Sequence, residues 1–269
     1  MILFYAAAES ALKELSAIDA SNLLISMANG EKKIPKVPEF FDDYKLIIDS
    51  GAFTYANKGG ITIEKWLSKA VALQQYGSEL ISLDVIGNAE KTFDNFNIIS
   101  AEIENTIPTF HVGSDLKYLF KYLDKTDRIA IGGMVPYKSE IETLKKHLNK
   151  IFKNFTPETL PKFHAFGYFS QTILETYPFY SADASTWQNY SRFGEFHRFM
   201  NLKYTRMKSL RVGKLDLRKT SLDDLHTYIK DDPLDKLMKI KKALDEFEAY
   251  LTNLWKKRGI NWNDTITKR

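Results

Sequence analysis

The stretch "KLIIDSG", Lys45 to Gly51, decides how the rest of the chain is read. Leu46, Ile47 and Ile48 follow one another without polar alternation, so a strand built from them has apolar surroundings on both faces. Such strands belong to parallel sheets covered by helices. The run stops on Asp49, and a carboxylate at the edge of an apolar core is costly unless it is hydrogen-bonded or put to use. Gly51, just beyond, lets the backbone turn sharply and approach another group closely.

Seven further runs have the same character: "ILFYAA" from Ile2, "NLLISM" from Asn22, "LISLDV" from Leu80, "PTFHVG" from Pro108, "RIAIGGM" from Arg128, "KFHAFGY" from Lys162 and "FYSADAS" from Phe179. The segments between them are helical or polar. In "TIEKWLSKAVALQQYG", Thr62 to Gly77, the residues Ile63, Trp66, Leu67, Ala70 and Leu73 recur at three- and four-residue spacing and mark one face of a helix. A second helix is expected after a Ser114 cap with an acidic first turn, and a third over the segment from Lys138. Eight strands alternating with helices over about 185 residues imply an α/β protein with a closed (β/α)8 barrel, the open doubly wound sheet being the alternative. The barrel is expected to span residues 1–193. Residues 194–269 are expected to form a basic segment followed by a C-terminal helix, whose stripe Leu234, Leu237, Ile240, Leu244, Phe247, Leu251 and Leu254 packs on the barrel.

Composition narrows the function. With 44% hydrophobic residues the chain fills a sizeable core, and no run of about eighteen apolar residues exists to span a bilayer. The opening "MILFYAAAES" lacks a basic leader, so a cytosolic protein with no membrane partner is expected. The absence of cysteine excludes disulfides and thiolate metal sites. The five histidines lack close ligand spacing, so neither a metal nor a cofactor is expected. The net charge of +4 is unevenly placed: Lys203 to Lys219 carries seven basic residues against one acidic. Such a segment either neutralises phosphates or is a solvated surface.

Chemistry in a (β/α)8 barrel sits at the carboxyl ends of the strands. Asp49 closes "LIID", Asp84 closes "LISLD" and Asp183 follows "FYSA", so all three are expected to enter one mouth and raise the proton affinity of at least one of them. One ionised carboxylate beside one protonated acid is the pairing that displaces a leaving group at a sugar anomeric carbon. Taken alone, each Asp reads first as a helix cap or a turn residue after a strand; three at equivalent positions favour a site. Gly132 and Gly133 either offer backbone amides to a planar ligand or make a tight turn. Phe53, Phe166 and Tyr168 either stack on a base or belong to the core and rim. His111 and His164 lie within strands and read as hydrogen-bonded barrel histidines.

Taken in order, "DSGAF" (Asp49 to Phe53), "LD" (Leu83-Asp84), "GGM" (Gly132 to Met134), "AFG" (Ala165 to Gly167) and "SAD" (Ser181 to Asp183) resemble the tRNA-guanine transglycosylase superfamily over roughly residues 46–187. That family has a (β/α)8 barrel and exchanges a guanine in RNA for a 7-deazaguanine. The resemblance implies that Asp183 is the nucleophile at C1′ of the sugar and that Asp49 is the acid/base for the exchanging bases. It implies that Asp84 reads the exocyclic amino group and ring nitrogen of the base. Ser50 and Gly51 share the Asp49 loop, Gly132 and Gly133 match backbone donors to the base carbonyl, Met134 and Gly167 complete their motifs, and Phe53 with Phe166 match the pair that sandwiches the ring.

The chain departs from the family where tRNA is held. Ala52, Phe53 and Thr54 replace the usual Gly-Phe/Tyr-Gln, "ASTW" follows Asp183 in place of Pro-Thr-Arg, and the Cys/His zinc insertion is missing. These departures resemble the compact relatives carried by bacteriophages and bacterial defence islands, which place 7-deazaguanines such as preQ0 into DNA. The resemblance therefore implies nucleic acid as partner, DNA in preference to tRNA, and a 7-deazaguanine base as the small substrate. Lys203, Arg206, Lys208, Arg211, Lys214, Arg218 and Lys219 are the candidates for holding phosphates, with Trp187, Tyr190 and Arg192 as nucleic-acid contacts near the site. A barrel nucleoside or glycoside hydrolase using the same carboxylates and a non-catalytic nucleic-acid-binding barrel are the competing readings.

Overall fold

A computed structural model of the chain describes residues 1–30, 44–74, 79–190, 195–208 and 233–262. Nine strand segments, all paired in parallel, run β1 (Ile2–Ala6), β2 (Asn22–Ser26), β3 (Lys45–Asp49), β4 (Glu79–Ile81), β5 (Thr106–Ile107), β6 (Thr109–His111), β7 (Arg128–Gly132), β8 (Lys162–Ala165) and β9 (Ser181–Ala184). Their order across the sheet is β5-β4-β3-β2-β1-β9-β8-β7-β6. The two ends of that order, β5 and β6, are consecutive pieces of one extended segment split by Pro108. Proline has no N–H to give to a ladder, yet the Pro108 carbonyl still accepts from the Ala130 amide at 2.9 Å. The sheet therefore curls into a nearly closed barrel, and each of the eight runs read from the sequence supplies strand to its wall.

Alternation along each strand sorts the core into two layers. Ile2, Phe4, Ala6, Leu24, Ile47, Ile81, Ile107, Ala130 and Tyr180 fill the barrel interior. Leu3, Tyr5, Leu23, Ile25, Leu46 and Ile48 face the helices. The N-terminal end of the barrel is plugged: Trp262 meets Tyr180 edge-on at 6.0 Å, and the Arg128 guanidinium, paired with Glu79, lies 4.9 Å over the Tyr180 ring. The C-terminal end is left to form the mouth.

Among the described residues the outer layer consists of α1 (Leu12–Ala17), α2 (Met27–Gly30), α3 (Ala52–Asn57), α4 (Ile63–Gln74), α5 (Ala89–Glu102), α6 (Leu116–Leu123), α7 (Ile141–Phe152), α8 (Gln171–Thr176) and α9 (Pro233–Lys257). In α4, Trp66, Ala70 and Leu73 are buried, as their spacing requires. The cap of α6 differs from the sequence expectation. Asp115, not Ser114, is the N-cap, because its carboxylate accepts the Lys117 amide at 2.9 Å while Ser114 belongs to the preceding turn. From the C-terminal stripe, Leu237, Ile240, Leu244, Phe247 and Leu251 are buried, whereas Leu234 is exposed. Helix α9 packs beside β1 and α8, and the Trp255 indole N–H donates to the Leu174 carbonyl at 2.9 Å.

An antiparallel hairpin, β10 (Glu195–Met200) and β11 (Lys203–Lys208), stands where the sequence suggested only a basic connector. Phe199 and Tyr204 pack on Phe247 of α9 at ring distances of 5.4 and 5.1 Å. The start of the hairpin adjoins the 3-10 turn Thr186–Gln188 that follows β9, and Gln171 grips its tip by bonding the Leu202 carbonyl and the Tyr204 amide.

Candidate active site

Asp49, the last residue of β3, pairs in register with Ser26 of β2. Its Oδ1 accepts the Gly51 amide at 3.1 Å, so the chain folds back on its own carboxylate before α3 begins. Gly51 has φ 72°, and a Cβ there would come within 2.8 Å of the Ala28 Cβ; the glycine is required both by conformation and by the close approach of α2. Ser50 is wholly buried. Its hydroxyl donates to Asp84 Oδ1 at 3.0 Å, and its carbonyl accepts the Trp66 indole N–H at 2.9 Å. The same hydroxyl lies 3.5 Å from Asp49 Oδ1, so Ser50 touches two of the three aspartates.

Asp84 lies three residues beyond β4, and both of its oxygens are engaged: Oδ1 by Ser50 and Oδ2 by His111 Nε2 at 2.9 Å. The neighbouring glycines make room for that histidine. A Cβ on Gly132 would meet His111 Cδ2 at 3.1 Å and Thr109 Cγ2 at 3.0 Å, and Gly133, at φ 72°, lies against the His111 Cβ. Gly132 is buried with its carbonyl accepting the Val112 amide, while Gly133 is exposed at the mouth.

Asp183 lies in β9 opposite Phe4 and is buried. Its Oδ1 accepts the Gly167 amide at 2.6 Å and faces His164 Nε2 at 3.2 Å, and His164 Nδ1 in turn faces the Ser181 hydroxyl at 2.9 Å. Gly167 adopts φ 67° in the loop after β8, which turns its N–H inward. Thus His111 and His164 are bonded barrel histidines, and each holds one of the aspartates.

The three aspartates meet electrostatically. Burial pushes the Asp49 carboxyl up to about 7, the Gly51 amide opposes this, and the charges of Asp84, Asp183 and Glu9 raise it further. Glu9 was not singled out from the sequence. It sits in the 3-10 turn Ala8–Ser10 after β1, 5% exposed, and its Oε2 accepts the Ser26 amide at 3.3 Å. The same logic that found the others, an acid just past a both-face apolar strand, applies to it; the run of alanines before it hid where the strand ends.

Other expected site residues divide by position. Phe53 is 73% exposed on α3, whereas Phe166 is partly buried against the barrel interior and 6.0 Å from the His164 ring. Among the described residues no ring contact joins Phe53 to Phe166. Ile86 and Val135, exposed on neighbouring loops, add apolar surface to the rim. Met134 must be corrected: it is wholly buried in the layer between barrel and helices, so its side chain does not line the mouth. Trp187 must be corrected as well. Its indole N–H donates to the Ala6 carbonyl at 2.9 Å and its ring packs on Tyr5 and Tyr190 with no exposure, so it is a core residue and not a nucleic-acid contact. Tyr168 and Tyr190 are likewise buried in the core.

Lys203 and Arg206 are exposed on β11, and Lys208 ends that strand. Arg198, exposed on β10, is a fourth hairpin cation, not among those expected from the sequence. Arg192, Arg211, Lys214, Arg218 and Lys219 lie outside the described residues. Among the described residues, no group of three or more Asp, Glu or His is arranged to hold a metal ion, and no helix is long and apolar enough to cross a membrane.

No protein-family model matches this chain, and no curated protein matches it in sequence.

Proposed function

We propose that the chain is a base-exchanging transglycosylase that replaces guanine in DNA with a 7-deazaguanine such as preQ0, through a covalent glycosyl-aspartate intermediate. The observation that carries this reading is the placing of Asp49, Asp84 and Asp183 at one barrel mouth, where the Ser50 hydroxyl reaches both Asp49 and Asp84 and where burial and the neighbouring carboxylates push the Asp49 carboxyl up to about 7. In the first step the Asp183 carboxylate takes C1′ of the nucleotide, the C1′–N9 bond breaks, and guanine leaves with the proton of Asp49. In the second step the incoming base returns its N9 proton to Asp49 and displaces Asp183 from C1′. Two displacements at one carbon retain its configuration. An acid that titrates near 7 suits a group that must give and then take the same proton.

Asp84, fixed from both sides by Ser50 and His111, is the group suited to the donor edge of a guanine-like ring. The exposed Phe53 and half-buried Phe166 offer the apolar surface, and Gly133 the open backbone at the rim. A stacked base reaches such a recess only when flipped out or single-stranded, at a cost of a few kcal/mol. Arg198, Lys203 and Arg206 on the hairpin supply cations for the phosphates.

The test is to incubate the full chain with preQ0 or preQ1 and either DNA or tRNA, then identify the nucleosides by mass spectrometry. A 7-deazaguanine deoxynucleoside supports the proposal, and the corresponding ribonucleoside moves the substrate to tRNA. Guanine release without incorporation makes the protein a hydrolase. Binding with neither makes it a non-catalytic nucleic-acid-binding protein.

A further inference from the structure

His164 is wholly buried inside the barrel, with the Phe4 ring edge-on at 6.0 Å and Phe166 at the same distance on another side. A buried imidazole needs partners for both nitrogens. Strand register provides one: His164 of β8 pairs with Ser181 of β9, and the hydroxyl lies 2.9 Å from Nδ1. The other nitrogen, Nε2, faces Asp183 Oδ1. A nucleophilic carboxylate can only accept, so with Asp183 in that role the proton of this bond belongs on Nε2 and the Ser181 hydroxyl donates to Nδ1. Ala130, the neighbour of His164 on β7, is small enough to leave the ring its space.

The Gly167 amide also ends on Oδ1. Two donors therefore converge on one carboxylate oxygen, while among the described residues no hydrogen bond ends on Oδ2. We propose that His164 is a positioning residue which, with the Gly167 amide, ties down Oδ1 and thereby presents Oδ2 of Asp183 as the attacking oxygen. The inference rests on the reading of Asp183 as nucleophile. The bond that forms is Oδ2–C1′, the bond that breaks is C1′–N9, and the departing base takes its proton from Asp49, so His164 keeps its own proton throughout. The serine behind the ring fixes which nitrogen carries that proton.

Two variants and one spectrum test this. His164→Gln can return an N–H at about the reach of Nε2, and His164→Leu cannot. Incorporation of labelled base by the full chain is expected to show kcat lowered roughly 10- to 100-fold in His164→Leu, the loss expected for one hydrogen bond to a charged group, with KM for the free base within about threefold. His164→Gln is expected to recover most of that loss. The imidazole 1H–15N spectrum of the parent chain should show a slowly exchanging Nε2 proton that disappears in Asp183→Ala. An unchanged kcat in His164→Leu, equal impairment of both variants, or an unprotonated Nε2 in the parent overturns the proposal. If the parent exchanges no base in any polymer, the transglycosylase reading fails instead. The spectrum then decides by itself whether His164 holds Asp183.

Discussion

Asp49 keeps a proton at a pH where an ordinary aspartate has lost it, and this has a consequence for stability. Its proton affinity is raised from 3.8 to about 7, so protons are bound more tightly by the folded chain than by the unfolded one. The stability present below about pH 4 is therefore lost as pH rises toward 7, by an amount on the order of 4 kcal/mol. Asp49→Asn, which keeps an oxygen for the Gly51 amide, should flatten that dependence in urea titrations between pH 5 and 8 and leave the variant more stable than the parent at pH 8. It should also abolish base exchange. Glu9→Gln removes one of the charges that raise Asp49, so the alkaline limb of the exchange rate should move to lower pH with the fold intact; a limb that stays in place would remove Glu9 from the site's electrostatics. The aspartates were legible because each closes an apolar run. Their partners were not, since nothing in "PTFHVG" or "KFHAFGY" says which carboxylate a strand histidine will face. That is set by which strands become neighbours across the closed sheet.

At the scale of elements, the eight strand runs could be read because both-face burial leaves uninterrupted apolar sequence. The β10–β11 hairpin could not. "EFHRFM" and "KYTRMK" mix charges with aromatics, and counting their cations concealed the residues, Phe196, Phe199 and Tyr204, that fasten the hairpin to the core. Its turn is a two-residue loop with Asn201 at φ 50° and Leu202 at φ 60°, a conformation that suits Asn-Gly and strains leucine. Leu202→Gly should stabilise the protein by about 1 kcal/mol in equilibrium unfolding. Gly51→Ala should do the reverse, costing on the order of 3 kcal/mol, since it meets both a left-handed backbone and the Ala28 methyl. Base exchange should fall with it, because the same turn aims Asp49.

Over the whole molecule, α9 takes the place a helix after β9 would occupy, lying beside β1 and α8 and completing the outer layer. Phe247 is its central anchor, buried among Phe169, Phe199 and Tyr204. Phe247→Ala should cost about 3–5 kcal/mol by denaturant titration and loosen hairpin and barrel together. The hairpin cations make a further expectation: oligonucleotide affinity should fall steeply with salt, and charge reversal at Arg198 and Arg206 should make that slope shallower by about one for each phosphate no longer neutralised. The central claim, that Asp183 becomes bonded to the sugar of a nucleotide, is tested most directly by intact mass. The full chain is mixed with a guanine-containing oligodeoxynucleotide, denatured and weighed. The account predicts a species equal to chain plus oligonucleotide less one guanine, discharged by adding free preQ0 and absent in Asp183→Asn. No such species under conditions where exchange occurs, or one that persists in Asp183→Asn, would contradict it.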